Sequence, residues 1–191
     1  RQLLPELHDQ GDAAGDSEKI TLDSEAKTEE FIMSSPKAYC NITDKNLLNQ
    51  ILVDFDKETT HFFRWEVKYQ RKELEALIQE KSGFDIGELQ SLVPLQRGVS
   101  GRIIYLAIKG SKRTITIGKE LTIRRVLAKS HLYSSAFIIK RHADEFILRG
   151  AGWGHGVGLC QLGAAAMAAE GKSYSEILSH YFLNTKLTRI Y

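Results

Sequence analysis

The stretch Gly150-Ala151-Gly152-Trp153-Gly154-His155-Gly156-Val157-Gly158 carries a glycine at every second position. An ordered glycine loses more backbone freedom on folding than any other residue, so this density points to a specific requirement. At the two-residue period of a strand, all the glycines would lie on one face, and the indole and imidazole on the other. A face without side chains lets a ligand or another backbone approach the main chain. We therefore expect a binding site along residues 150–158, which we call the glycine track.

The segments before the glycine track predict a strand-rich region with short helices. Apolar positions at strand period are found in Phe62–Tyr69, Leu92–Gln96, Gly101–Lys109, Arg113–Ile117, Ala136–Lys140 and Glu145–Leu148. Helical spacing is found in 47–52, with Thr43 as the N-cap, in 74–78, which Gly83 would end, and in 122–127.

The segments after the glycine track predict two helices. The alanine-rich stretch Gln161–Glu170 is composed of strong helix formers, and Gly171 would end it. Ser173 and Glu176 form a capping-box pattern that begins a last helix through Phe182. Together the two halves predict an α+β fold with a mixed or antiparallel sheet and flanking helices.

Charge is distributed unevenly along the 191 residues, whose net charge is +2. Residues 1–30 hold nine acidic and three basic side chains, a balance of −6, so residues 31–191 carry +8. We expect an acidic flexible arm or linker over 1–30 and one folded domain over 31–191. The basic charges of the domain are scattered and accompany no nucleic-acid-binding motif, which disfavours nucleic acid as a partner. No apolar run approaches the length of a membrane span.

His155 and Trp153 are the first candidates for site chemistry. Histidine is the commonest general acid or base and the commonest metal ligand, because its proton affinity lies near neutrality. A buried histidine that only holds a turn is the alternative. Trp153 offers an indole face on which a sugar ring can stack, although a large aromatic residue at a strand end is more often part of the core.

Cys160 and Gln161 lie where the glycine track turns into the alanine-rich helix. Backbone N–H groups at a helix start attract anions, and a cysteine there can become a nucleophile. Cys40, His61, His155 and Cys160 could in principle ligate a metal, but none has the close spacing of a zinc site. The sequence therefore predicts no metal site, and it contains neither a phosphate-binding loop nor a serine nucleophile elbow.

The string from Gly152 to Ala164, G-W-G-H-G-V-G-L-C-Q-L-G-A, closely resembles the signature of the SpoIID/LytB family of sporulation proteins and amidase enhancers. The usual pattern is G-W-G-H-G-V-G-M-S-Q-x-G-A, from which Leu159 and Cys160 depart. Arg97-Gly98-Val99-Ser100-Gly101-Arg102 and Ser134-Ser135-Ala136-Phe137 are further matches. The resemblance extends over about Ser35 to Tyr191 and identifies the C-terminal portion of a SpoIID-like domain.

The resemblance implies peptidoglycan as the ligand and the cell envelope or extracellular space, periplasmic in a Gram-negative cell, as the location. Family members of the sporulation type are lytic transglycosylases that cleave the glycan backbone and leave a 1,6-anhydro end. Others are amidase enhancers, so a cell-wall amidase is a candidate partner. The implied substrate-binding residues are Trp153 as a sugar platform, the glycines Gly152, Gly154, Gly156 and Gly158, and, more weakly, Ser134. His155 and Gln161 would position or polarise the substrate.

Two parts of the family pattern have no match in residues 1–191. One is the segment E-x-x-K-A-Q-A-V-A-A-R-T-Y-A, which carries the catalytic glutamate of the family. The other is a histidine and cysteine segment that binds zinc in some members. Glu145 and Glu170 are acidic residues near the glycine track in sequence, but no motif assigns either of them the missing role. We therefore expect a glycan-binding wall without its proton donor, and no cofactor bound by this chain.

Overall fold

Two three-stranded antiparallel sheets form the β framework of the computed structural model, which describes residues 21–34, 36–52 and 63–188. The strands are β1 (Arg64–Gln70), β2 (Leu89–Arg97), β3 (Ile103–Gly110), β4 (Thr114–Gly118), β5 (Phe137–His142) and β6 (Glu145–Ala151). The helices are α1 (Glu25–Ser34), α2 (Lys45–Ile51), α3 (Arg71–Ser82), α4 (Glu120–Val126), α5 (Gln161–Ala169) and α6 (Tyr174–Tyr181). One sheet has the order β1-β6-β5 and the other β2-β3-β4. The predicted α+β class is confirmed.

The chain divides into two compact units that are interleaved in sequence. The first, which we call the core unit, comprises Thr21–Ser35 and Arg64–His155 and holds both sheets with α1, α3 and α4. The second, which we call the helical unit, includes Pro36–Phe63 and Gly156–Tyr191 and holds α2, α5 and α6. The prediction of one domain over 31–191 stays a prediction.

The core unit has a continuous apolar interior between its sheets and helices. The predicted apolar face of α3 is buried there, with Leu74 and Ile78 fully inaccessible, and Ile123 of α4 packs into the same cluster. Phe137 and Phe146, from β5 and β6, are the largest fully buried side chains. Gly83 follows α3 with a left-handed φ of 76°, as its sequence position predicts.

Helix α1 belongs to the core unit and begins at Glu25, six residues before the predicted start of order near Phe31. Ile32 packs with Ile138 and Ala151, and Thr28 is buried. Glu25 pairs with Arg97, so an acid of the expected flexible arm is matched by a base far along the chain. Local charge composition could not reveal this pairing. The prediction for residues 1–20 lies outside the described residues.

The helical unit follows the capping signals closely. Asp44, rather than the predicted Thr43, caps α2, with its Oδ1 accepting from Asn46 N at 2.8 Å. The predicted capping box of Ser173 and Glu176 begins α6, and Gly171 has a φ of 85° after α5. Residues 183–188, which follow α6, contain no strand, and residues 189–191 lie outside the described part.

Among the described residues, no helix has both the length and the apolar character needed to cross a bilayer.

We predict that deprotonation of Tyr69 destabilises the fold at high pH. Burial, followed by the charges of Glu73 and Tyr133, raises the pKa of the Tyr69 phenol to about 12, from a usual value of 10.0. A raised folded pKa means that the stabilisation is complete below about pH 10 and is lost as the pH rises toward about 12, at roughly 1.4 kcal/mol per pH unit.

Urea unfolding at about pH 9 and about pH 11 measures this loss. Tyr69→Phe lacks the titrating group but also lacks the 2.7 Å hydrogen bond to Leu127 O, so it should be less stable at the lower pH and show a shallower pH slope. Identical slopes for the two proteins would contradict the prediction.

Candidate functional site

The backbone of the glycine track alternates in the sign of φ. Gly152, Gly154, Gly156 and Gly158 have φ values of 69°, 83°, 71° and 86°, whereas the residues between them have negative φ. A side chain in the left-handed region costs roughly 1–2 kcal/mol per residue. Each of these four glycines is therefore required by its backbone conformation.

This finding corrects the interpretation of the glycine track as a strand with one bare face. Strand β6 ends at Ala151, and no described residue between Gly152 and Cys160 is in a strand. Only Gly150 lies in the sheet, where it serves close packing: a Cβ there would meet the Trp65 ring at 2.1 Å. The two-residue period is thus a period of backbone conformation. The residues that alternate with the glycines are nevertheless exposed: Trp153, His155, Val157 and Leu159.

Three hydrogen bonds fix the first part of the glycine track to the core unit. Trp65 Nε1 donates to Gly152 O at 3.1 Å, and Arg102 Nε donates to Gly154 O at 3.3 Å. Gly154 N donates to Tyr133 O at 2.8 Å. The backbone on both sides of Trp153 is therefore held in place, which limits the conformations available to that side chain.

Trp153 is the outer member of a chain of aromatic rings. Its ring packs against Tyr133 with centroids 5.1 Å apart, and Tyr133 packs against Trp65 at 5.5 Å. Trp65 is buried, whereas Trp153 keeps 37% of its surface exposed. The alternative that Trp153 belongs to the core is therefore wrong. A partly exposed indole backed by a second ring is a rigid apolar platform.

His155 is exposed at the end of the core unit, so it is not the buried histidine of the alternative interpretation. Gly152, Trp153, Gly154 and His155 all belong to this unit, whereas Gly156, Gly158 and Gln161 belong to the helical unit. Gln161 is exposed as the first residue of α5, after Cys160, whose Sγ caps the helix by accepting from Gly163 N at 3.4 Å.

Ser134 does not fit the predicted substrate-binding role. Its side chain is fully buried, and its hydroxyl donates to Ala151 O at 2.8 Å and accepts from Ala136 N at 3.2 Å. Both partners lie within the chain, so Ser134 joins the end of β6 to the segment before β5.

The carboxylates of the sheet that leads into the glycine track are poorly suited to donate a proton there. Glu66 lies beside Trp65 on β1, and its hydrogen bond from Arg149 lowers its pKa, so it stays ionised near neutrality. Glu145 begins β6, six residues before Ala151, which corresponds to about 20 Å along a strand. Neither residue meets the requirements of a general acid at Trp153.

The described residues contain no group of three or more histidine, cysteine, aspartate or glutamate side chains that could hold a metal ion. His61 lies outside the described part, so the prediction that this chain binds no metal stays a prediction. A separate cleft of about 300 Å³ opens within the helical unit, lined among others by Lys37, Tyr39 and Glu170. Of the predicted site residues, none lines this cleft.

Arg102 and Tyr133 are site residues to which the sequence assigned no role, although Arg102 ends one of the segments that match the family. Arg102 is 8% exposed, and a Cβ on Gly152 would lie 3.8 Å from its Nη2. Tyr133 contributes both its ring and its carbonyl. Both residues precede β5 and β6 in the sequence, whereas the glycine track follows these strands. No local sequence pattern could therefore assign either residue to the site.

Comparison with known proteins agrees with the predicted resemblance. Residues 7–158 match the family model described as "Domain of unknown function (DUF8618)". The amidase enhancer of Bacillus subtilis (strain 168) is 33% identical over 88 residues, covering 42% of this chain and 12% of that protein. Stage II sporulation protein D of the same strain is 39% identical over 71 residues, covering 37% and 21%. The same-named protein of Bacillus amyloliquefaciens is 42% identical over 65 residues, covering 34% and 19%.

These relatives confirm the SpoIID/LytB resemblance, and the chain spans only 12% to 21% of their lengths in the matched regions.

We predict that Arg102→Lys loosens the first part of the glycine track. A lysine keeps the charge but cannot reproduce the geometry of a guanidinium that donates to Gly154 O. Hydrogen exchange of the Gly154 amide, which is bonded to Tyr133 O, should become about fivefold faster, since one such bond is worth about 1 kcal/mol. The exposed Arg125→Lys is the matched control and should leave this rate unchanged. Equal rates in both variants would show that Arg102 does not hold the track.

Proposed function

We propose that this chain, which belongs to the family described as "Domain of unknown function (DUF8618)", binds glycan strands of peptidoglycan in the bacterial cell envelope. The proposal starts from its similarity to proteins named stage II sporulation protein D and amidase enhancer. The proposed role is the glycan-binding wall of a SpoIID-like lytic transglycosylase that cleaves the backbone between its amino sugars. Peptidoglycan and, secondarily, a cell-wall amidase are the proposed partners.

The observation that carries this proposal is the presentation of Trp153. Its ring is 37% exposed, is backed by Tyr133 at 5.1 Å, and stands between two glycines with left-handed backbone. The flat apolar face of an indole matches the face of a pyranose ring, on which C–H groups project. Because Gly152 and Gly154 carry no side chains, a polymer can reach the platform without steric obstruction from its neighbours.

His155 supplies the polar counterpart of this platform. It is exposed two residues after Trp153, and its imidazole can donate or accept a hydrogen bond near neutral pH. Sugar hydroxyl and acetamido groups are ligands of that kind. We assign His155 to positioning a sugar substituent, and the substrate role of Gln161, which belongs to the helical unit, stays a separate prediction.

We predict that Trp153→Ala weakens binding to denuded glycan strands, which are peptidoglycan chains stripped of their peptides, by about tenfold or more. Loss of a central aromatic contact commonly costs 2 kcal/mol or more in a binding site. Tyr174→Ala is the matched control, because Tyr174 is an aromatic residue of α6 that is 76% exposed. Co-sedimentation or calorimetry with the full chain measures both affinities.

An unmodified chain that fails to bind denuded strands would refute the proposed function. Binding that Trp153→Ala leaves intact would remove only the platform role from Trp153.

A non-catalytic enhancer of a separate amidase is the second candidate. It is favoured by the 33% identity to a protein named amidase enhancer and by the unsuitability of Glu66 and Glu145 as proton donors. In this case the chain would hold the wall polymer while a partner enzyme cleaves it. The glycan-binding role of Trp153 is common to both candidates.

The two candidates differ in the products that they leave. Incubation of the full-length gene product with denuded glycan strands should release 1,6-anhydro ends, detected by mass spectrometry, if the protein is a transglycosylase. An enhancer should release none, and it should instead accelerate the removal of peptides from intact peptidoglycan by an added amidase. If a Trp153→Ala, His155→Ala double variant still releases anhydro ends, cleavage does not require the proposed binding residues.

A further inference from the structure

Strand β4 is an edge strand without the features that usually protect an edge. Sheet edges carry unpaired backbone groups, and proteins commonly shield them with charges, proline or bulges. Thr114-Ile115-Thr116-Ile117-Gly118 contains none of these residues. The other three edge strands do contain them: β1 has Lys68 among its charges, β5 has Lys140 and Arg141, and β2 has Pro94 and register shifts.

The hydrogen-bond pattern of the β3–β4 hairpin shows which groups of β4 face outward. Gly110 N donates to Arg113 O at 3.0 Å, so Gly110 and Arg113 form a hydrogen-bonded pair. From this pair onward, hydrogen-bonded and non-hydrogen-bonded residue pairs alternate along the two strands. With the observed register, Ile115 and Ile117 bond to β3. The N–H and C=O groups of Thr114, Thr116 and Gly118 therefore point away from β3, and no other strand of the described chain pairs with them.

The side chains of β4 offer different surfaces on its two faces. Ile115 and Ile117 are half-buried against the core cluster, whereas Thr114 and Thr116 are exposed. A strand added beside β4 would place alternate residues next to the isoleucines and the others next to the threonines. Cross-strand pairs of β-branched residues stabilise such an arrangement.

The charges around this edge are basic. Arg113 precedes β4, Lys119 follows it, and Lys109 of β3 is exposed opposite Thr114. Of the neighbouring charges, Lys112 is paired with Asp85 and Glu120 with Arg124. Within the described residues, no carboxylate lies within ion-pair distance of Arg113, Lys119 or Lys109. The Arg113 guanidinium lies 5.9 Å from the Phe84 ring centroid, and its charge adds to the hydrogen bond from Lys112 in lowering the pKa of Asp85. An extended segment with acidic residues near its ends would complement this pattern.

A second copy of the chain complements this edge less well. In an antiparallel pairing centred on Thr116, the two copies would place Arg113 of one opposite Lys119 of the other. Like charges directly opposite each other destabilise a strand pair. The basic flanks therefore favour a different partner over self-association.

We propose that the outer edge of β4 binds an extended, acidic segment of a partner protein as an additional strand of the β2-β3-β4 sheet. The backbone groups of Thr114, Thr116 and Gly118 supply the hydrogen bonds, and the basic residues at both ends select acidic flanks. Strand addition of this kind takes affinity from main-chain bonds and specificity from alternate side chains. This interaction uses neither Trp153 nor His155, so it is independent of the glycan-binding proposal.

A fluorescent peptide, acetyl-Glu-Thr-Val-Thr-Val-Thr-Glu-amide, is a suitable probe, and fluorescence anisotropy measures its affinity for the full chain. Thr116→Pro removes an outward N–H that β3 does not use, so the hairpin should stay folded while affinity falls about tenfold or more. Thr116→Val is the matched control, since it keeps the N–H and should retain the affinity. Circular dichroism and thermal unfolding check that each variant is folded.

A second pair of measurements does not depend on Thr116→Pro folding. The double variant Arg113→Glu, Lys119→Glu should no longer bind the acidic peptide. It should instead bind a peptide in which lysine replaces both glutamates. The proposal is overturned by absence of binding, by equal affinity of Thr116→Pro and Thr116→Val, or by unchanged preference after charge reversal. Dimerisation of the unmodified chain that Thr116→Pro abolishes, seen by analytical ultracentrifugation, would make a second copy the occupant and would also overturn it.

Discussion

The contact between the Trp65 indole and the backbone of Gly150 links the sheet of the core unit to the candidate site. Gly150 lies on β6, the central strand, and pairs with Trp65 on β1 and Phe137 on β5. The indole occupies the space of a Cβ at residue 150, and its Nε1 binds Gly152 O at 3.1 Å. The same ring therefore closes the core and fixes the residue at which the chain leaves the strand. A side chain at 150 would displace the ring and, with it, the start of the glycine track.

The glycines of the track consequently have two different physical causes. Gly150 is required by packing, because it lies in a strand against a buried ring. Gly152 and Gly154 are required by backbone conformation, and a Cβ at either would meet no atom closer than 3.8 Å. Since both causes give the same residue at the same period, the sequence alone could not separate them. What the alternation did indicate correctly is the exposure of Trp153 and His155.

Features that depend on neighbouring residues were predictable from the sequence, and those that depend on distant partners were not. Alternation located the strands of both sheets, and the capping signals at Gly83 and Ser173 placed helix ends where the structure has them. In contrast, α1 is held by pairs such as Glu25 with Arg97, separated by 72 residues. The burial of Ser134 and the hydrogen bond from Arg102 to Gly154 O likewise depend on tertiary packing.

Glu66 and Glu145, the carboxylates of the sheet that leads into the glycine track, do not meet the requirements for proton transfer at Trp153. Protonation of a glycosidic oxygen needs a carboxyl group that keeps its proton near the working pH and lies within hydrogen-bond reach of that oxygen. The hydrogen bond from Arg149 acts in the opposite direction on Glu66, because it lowers the pKa of that residue. A fixed aromatic platform needs neither condition, since stacking depends on the shape and exposure of the ring. The role proposed for Trp153 therefore does not depend on which protein supplies the acid, and the binding proposal stands separately from any proposal of cleavage.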